Sequence, residues 1–247
     1  LIQGILGIQG TGKTTLAKVI QLILAELGYS SITISLDDLY KTYAEREELR
    51  KQDPRLIWRG PPGTHAVELG LKVLEELIQA SPDSLIAIPR FDKSAHNGAG
   101  DRTEPEFTKK VDVVLFEGWF VGVRPIPESQ FEVFASLFKT PAELQFAKDN
   151  NRRLQAYLPL WQKLDRLIIL YPVDYRLSKV WRKEAEHKMI ATGKAGMSDQ
   201  EIDRFVEYFW CALHPQLFIP PLLPQADLVI EINADHSVGR IYKCERE

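Results

Sequence analysis

The sequence predicts an α/β protein, a doubly wound and mainly parallel sheet with helical insertions and a helical lid. Three observations carry that expectation. An apolar run, Ile5 to Ile8, leads through a Gly-rich loop into a segment of helical period. Short apolar runs then alternate with helix-period segments, the pattern of strands joined by crossover helices. One of those runs, Val111-Asp112-Val113-Val114-Leu115-Phe116, is too continuously apolar to alternate, as in a central strand buried on both faces. With no internal repeat, low-complexity tract or linker, the expectation is a single domain over residues 1–247, with a helical insertion at 125–165 and a lid at 174–200.

The loop after the first strand, Gly7-Ile8-Gln9-Gly10-Thr11-Gly12-Lys13-Thr14, fits G-x-x-x-x-G-K-[ST]. Glycines let backbone N–H groups turn towards phosphate oxygens, and the following helix start adds partial positive charge. Gly7, Gln9, Gly10, Thr11, Gly12 and Lys13 are therefore the expected nucleotide contacts. Lys13 would reach the β- and γ-phosphates and the Thr14 hydroxyl would ligate magnesium. The competing reading is a Gly-rich turn that only joins strand to helix.

The next helix has Leu16, Val19, Ile20, Ile23 and Leu27 at three- and four-residue intervals, and Gly28 stops it. Ser31 to Leu36 reads as a buried strand ending on Asp37-Asp38-Leu39-Tyr40. A charged helix from Thr42 to Gln52 precedes the loop Arg59-Gly60-Pro61-Pro62-Gly63-Thr64-His65. A helix with Val67, Leu71, Leu74 and Ile78 on one face follows. Leu85 to Ile88 is a short strand, and a polar loop through Gly98, Gly100 and Arg102 leads to the strand that ends on Glu117-Gly118-Trp119. Residues 128 to 164 read as helical with one interruption at Pro141, their aromatic stripe serving as core. Leu167 to Leu170 is a strand, followed by a helix bearing Trp181, Arg182 and Glu186 that ends near Gly193. Ser198 is the expected N-cap of a helix with Ile202, Phe205, Phe209 and Leu213 inward, and Leu228 to Ile232 is the last clear strand.

The 247 residues carry a net charge of −3, which marks no nucleic-acid or anionic-membrane surface. No apolar run reaches membrane-spanning length. Cys211 and Cys244 form no metal spacing or disulfide framework, so a reducing compartment is expected, the cytoplasm or, for a plant chain, the chloroplast stroma. The chain opens at Leu1, almost inside its first strand, which reads as trimming or processing. Oligomeric state leaves no mark in the sequence.

Ligands of such sheets bind outside the carboxyl ends of the strands. Glu117 closes a buried strand there, where an acidic residue completes a magnesium site, whereas Asp112 lies at the opposite end of that strand. Asp37 and Asp38 end another strand. Transfer to an alcohol needs a carboxylate to accept the hydroxyl proton, and Asp37 leaves the strand first. Asp38 would cap the next helix, and the competing reading has both merely capping and turning. Arg90 and Lys93 leave a strand end into a Gly-containing loop suited to anion capture, and Arg182 sits where a lid would offset phosphoryl charge. Each of these cations also fits a solvated surface role. His65 either donates to a substrate oxygen or caps a helix. No N-K-x-D guanine motif is present, which disfavours GTP-switch proteins; an ATP-binding regulatory protein without an acceptor is the alternative from another class.

With these residues in view, the chain resembles the D-glycerate 3-kinases of the plant and cyanobacterial type. These belong with the P-loop kinases that include uridine kinase, phosphoribulokinase and pantothenate kinase. The resemblance rests on Gln9 to Thr15, Leu36-Asp37-Asp38-Leu39-Tyr40, Arg59-Gly60 with Gly63-Thr64-His65, Pro89-Arg90-Phe91-Asp92-Lys93-Ser94, Gly100-Asp101-Arg102, Phe116-Glu117-Gly118-Trp119, Trp181-Arg182 and Gly196-Met197-Ser198-Asp199. It implies phosphorylation of D-glycerate to 3-phosphoglycerate with ATP and magnesium. Asp37 is then the base, with Lys13 and Arg182 assisting, and Thr14 and Glu117 form the metal site. Thr15 joins the nucleotide loop, and His65, Arg59, Arg90, Asp92 and Lys93 face the substrate. A sister activity on a nucleoside, pantothenate or a sugar phosphate is the alternative. The chain departs from the family pattern at Ala66, expected as Asp, and at Leu39 and Phe91, expected as Phe and Tyr.

Overall fold

The computed structural model describes residues 1–193 and 196–243, so Lys194 and Ala195 of the expected lid, and Cys244, lie outside the described residues. Strand β1 (Ile2–Gly7) passes through the phosphate loop into helix α1 (Lys13–Glu26). Strand β2 (Ser31–Ser35) stops one residue short of expectation, because Leu36–Leu39 winds into a 3-10 turn. Ser35 and Asp38 form a capping box on that turn, so Asp38 caps its own turn and not the next helix. Helix α2 (Tyr43–Gln52) starts from a second capping box, Thr42 with Glu45, and helix α3 (Val67–Gln79) buries Val73, Leu74 and Leu77.

The main sheet has the order β2-β5-β1-β6-β7-β8, using β5 (Val113–Gly118), β6 (Arg166–Pro172), β7 (Leu228–Ile232) and β8 (Val238–Tyr242). All neighbours are parallel except β7 and β8. Side chains of β1 alternate between two faces: Ile2 and Leu6 join the large core, while Ile5 meets Ala17, Val113 and Leu115 under α1. The large core takes in Phe116, Phe120, Tyr157 and Trp161.

Four further expectations are corrected. Helix α1 packs through Leu16, Ala17, Ile20 and Leu24, leaving Val19, Ile23 and Leu27 exposed. That contact stripe is narrower than the apolar pattern. The polar segment after residue 98 is strand β4 (Asp101–Thr108), which pairs antiparallel with β3 (Ile86–Asp92) in a separate two-stranded sheet. The insertion breaks into α4 (Ser129–Val133), α5 (Pro141–Arg153) and α6 (Leu158–Trp161); Pro141 opens α5 behind the Thr140 cap. Finally, β8 follows the last expected strand. The aromatic residues of the insertion are core, with Phe131, Phe138, Tyr157 and Trp161 all buried. Helix α7 (Leu177–Ile190) leads to α8 (Asp199–Ala212), capped by Ser198 as expected, and then to the short α9 (Pro215–Phe218).

Candidate active site

The loop between β1 and α1 is built to leave donors free. Gly10 and Gly12 take left-handed φ values of 83° and 89°, and Thr11 Oγ1 donates to Ile8 O at 2.8 Å. Gly12 is the N-cap of α1 and no side chain caps that helix, so its first N–H groups face outward for an anion. A Cβ on Gly10 would lie 2.4 Å from Trp181 Cβ, which shows how closely α7 presses on the loop. Trp181 is fixed there by its Nε1, which donates to Ala234 O at 3.0 Å, and by a stack on His236. Burial pushes the Lys13 pKa down against the pull of Glu117 and Asp37, and its Nζ donates to Ile8 O at 3.3 Å. Gln9 and Thr15 flank this cradle.

Register brings the carboxylates to the loop. Ile5 of β1 pairs with Glu117 of β5, and Glu117 in turn pairs with Ser35 of β2, two residues before Asp37. Thr14 Oγ1 donates to Glu117 Oε1 at 3.1 Å, and Glu117 is buried. Two adjacent oxygen donors of this kind suit a hard divalent cation. Among the described residues no cluster of three or more His, Cys, Asp or Glu side chains is assembled for a metal, so protein groups would supply only part of its shell.

Asp37 Oδ2 accepts from Lys93 Nζ at 2.6 Å, and the Tyr40 hydroxyl also donates to this carboxylate. Burial alone would raise the Asp37 pKa; Lys93 and Tyr40 outweigh it and hold the group below the usual carboxylate range. Asp38 is occupied differently. It accepts from Ser35 N at 2.9 Å and from Arg90 Nη1 at 2.8 Å, and burial pushes its pKa up.

His65 is buried with its Nδ1 2.8 Å from the Tyr157 hydroxyl and its ring stacked on Tyr40 at 4.5 Å. The Tyr157 oxygen already accepts from Gly63 N at 2.9 Å, so its own proton points to His65 Nδ1 and leaves the histidine proton on Nε2. That Nε2 is buried without a partner, and burial pushes the His65 pKa down to about 3. His65 does not cap α3, whose N-cap is Ala66.

A cleft of about 1000 Å³ lies beside these groups, its wall including Arg46, Arg59, Lys93, Arg182, Trp58 and Phe205. Arg182 pairs with Glu186 at 2.7 Å and lies over the Phe205 ring. Two expected substrate residues are committed elsewhere. Arg90 bonds Asp38, Glu106 and Thr33 O, and it forms no part of the cleft wall. Exposed Asp92 accepts from both the backbone N and the hydroxyl of Ser94. Tyr40 and Trp181, which lie in stretches that carry the family resemblance, belong to the site's framework, as do Tyr157 and Arg46, which no spacing in the sequence marks. Away from the site, Cys211 is half-buried and burial pushes its pKa up to about 11, which keeps it a thiol. Among the described residues no helix is long and apolar enough to cross a membrane.

No protein-family model matches the chain. Individual proteins do. The chain is 36% identical to the uncharacterized kinase mug58 of Schizosaccharomyces pombe, over 84% of this chain and 78% of that one. It is 33% identical to the chloroplastic D-glycerate 3-kinase of Arabidopsis thaliana over 95% of this chain, and it spans about half of that relative, 52%. The solved D-glycerate 3-kinase of Cryptococcus neoformans superposes with a TM-score of 0.85 at 26% identity, covering 98% of this chain and 89% of that one. Identity of this order to the Schizosaccharomyces pombe kinase along most of both chains, with the fold of the Cryptococcus enzyme, means that the protein belongs to the kinase family of that relative.

Proposed function

We propose that the protein transfers the γ-phosphoryl group of ATP to the 3-hydroxyl of D-glycerate, giving 3-phosphoglycerate and ADP. The observation that carries this reading is the half-buried carboxylate of Asp37, held ionised by Lys93 and Tyr40 just beyond the end of β2. The names of the Arabidopsis and Cryptococcus relatives support the acceptor.

In this reading the loop N–H groups from Gly10 to Thr15 and Lys13 hold the triphosphate, with Gly7 and Gln9 shaping the turn. Asp37 accepts the proton of the 3-hydroxyl. That oxygen bonds the γ-phosphorus as the bond to the β–γ bridging oxygen breaks, and ADP carries away the electron pair. Thr14 and Glu117 would hold Mg²⁺, which when bound offsets phosphate charge. Lys93 keeps Asp37 unprotonated, and Arg182 brings positive charge from α7, the lid of the site. The His65 Nε2–H is a buried donor free for an acceptor oxygen. Two cysteines without a disulfide framework and the chloroplastic relative support a reducing compartment, the cytoplasm or a plastid.

The test is a coupled ADP-release assay of the purified protein with ATP, magnesium and one acceptor at a time. D-glycerate is expected to drive turnover at tens-fold or more above uridine, pantothenate and ribulose 5-phosphate. Turnover that ignores glycerate and follows another acceptor transfers the reading to a sister kinase. Slow turnover indifferent to all four indicates a regulatory ATP-binding protein.

A further inference from the structure

Among the described residues five cations line the cleft, and four of them are paired with a carboxylate or bonded through both terminal nitrogens, although Arg182 keeps a buried Nε without a partner. Arg50 pairs with Glu47 at 2.5 Å, Lys93 with Asp37 at 2.6 Å and Arg182 with Glu186 at 2.7 Å. Arg46 is buried and gives its two terminal nitrogens to the carbonyls of Lys41, Ala99 and Gly100. Arg59 differs. Among the described residues its Nη1 alone is bonded, to Gly98 O at 2.6 Å and Ala99 O at 2.9 Å, and no carboxylate pairs with it.

The guanidinium is nonetheless held in place. It lies over the rings of Phe91 at 5.5 Å and Tyr40 at 5.9 Å. The next residue, Gly60, is locked at φ 133° with no room for a Cβ, which would sit 2.4 Å from the Phe209 ring. Anchoring through Nη1 leaves the Nε and Nη2 N–H groups as a parallel pair of donors on one edge, the geometry that grips a carboxylate with two bonds. Tyr40 connects this edge to the chemistry, since the ring under Arg59 carries the hydroxyl that bonds Asp37. We infer that the free Nε/Nη2 edge of Arg59 binds the carboxylate of the acceptor, placing the far end of a short hydroxy acid at Asp37. This rests on the glycerate-kinase reading above, and it assigns the carboxylate to Arg59 in preference to Arg90, Lys93 and Arg182. Preorganisation makes the contact strong, because little side-chain freedom remains to be lost on binding.

The experiment compares wild type, Arg59→Met and Arg59→Lys for D-glycerate turnover and for competitive inhibition by D-lactate, which keeps the carboxylate and lacks the reacting hydroxyl. Arg59→Met is expected to raise the D-glycerate KM and the D-lactate Ki together by about 100-fold, with kcat at saturation and the KM for ATP changed less than about threefold. Arg59→Lys keeps charge and loses the fork, so it raises both constants by about tenfold; it carries the test if the Met variant does not fold. An unchanged D-glycerate KM, or a fall in kcat with KM intact, overturns the inference while leaving the kinase reading in place. A wild type inactive on D-glycerate overturns the reading beneath it, and the inference with it.

Discussion

Two opposing influences act on Asp37. Burial favours its neutral acid, and the Lys93 ammonium with the Tyr40 hydroxyl favours the carboxylate and prevails. A base whose pKa lies below the ordinary range is ionised throughout neutral pH, so activity is lost on the acid side only below that range. Lys93→Met removes the main downward influence and leaves chiefly the Tyr40 hydroxyl against burial. The acid limb of the kcat/KM profile for D-glycerate is therefore expected to move to higher pH by about one unit or more. A limb that stays put places the base elsewhere. His65, neutral down to about pH 3, adds no ionisation of its own to the profile. At this scale the sequence was legible where chemistry is local. Gly7 to Thr14 form a continuous stretch, and Asp37 comes two residues after the end of its strand. The pairing of Arg90 was not legible, because its partners, Asp38 and Glu106, come from separate elements and cannot be inferred from spacing. Tyr157 and His65, 92 positions apart, meet only in the fold.

The elements around the cleft are stapled by charge as well as packed. Beyond the end of α2, Asp53 binds Arg153 of α5 at 2.5 Å and also holds Arg55, which reaches Asp149 of α5 at 2.7 Å. The Arg55 and Arg153 bonds outweigh burial and pull the Asp53 pKa well below the usual carboxylate value. A depressed folded-state pKa stabilises above the unfolded value, near 4, and that contribution fades as pH falls towards the folded one. Asp53→Asn is expected to cost about 2 kcal/mol in urea unfolding at pH 7, with the difference from wild type shrinking at low pH. Equal stabilities at pH 7 would mean that the staple contributes nothing. Strands β4 and β8 escaped the sequence reading for one physical reason. Neither has a face buried in the core, so neither carries the apolar alternation that marks a strand. Helix α1 shows the converse, since its apolar residues outnumber the contacts the sheet offers it.

Across the whole molecule, sheet order does the assembling. Placing β5 between β1 and β2 sets Glu117 against the phosphate loop and Asp37 one strand further out, and α7 covers the loop through Trp181. Alternating strands and helices made this architecture readable, and the parallel β2-β5-β1-β6-β7 core agrees with it. The separate β3–β4 ribbon, which carries Lys93 at its end, was not readable as such, and it supplies the partner of Asp37. The central claim is that donor loop and base act together on one acceptor. Asp37→Asn tests it most directly, with D-glycerate-dependent ADP release and ATP affinity measured on the same preparation. The predicted result is a fall in kcat of about 10³-fold or more with ATP affinity within about threefold of wild type. Glycerate-dependent turnover that survives the substitution would contradict the account.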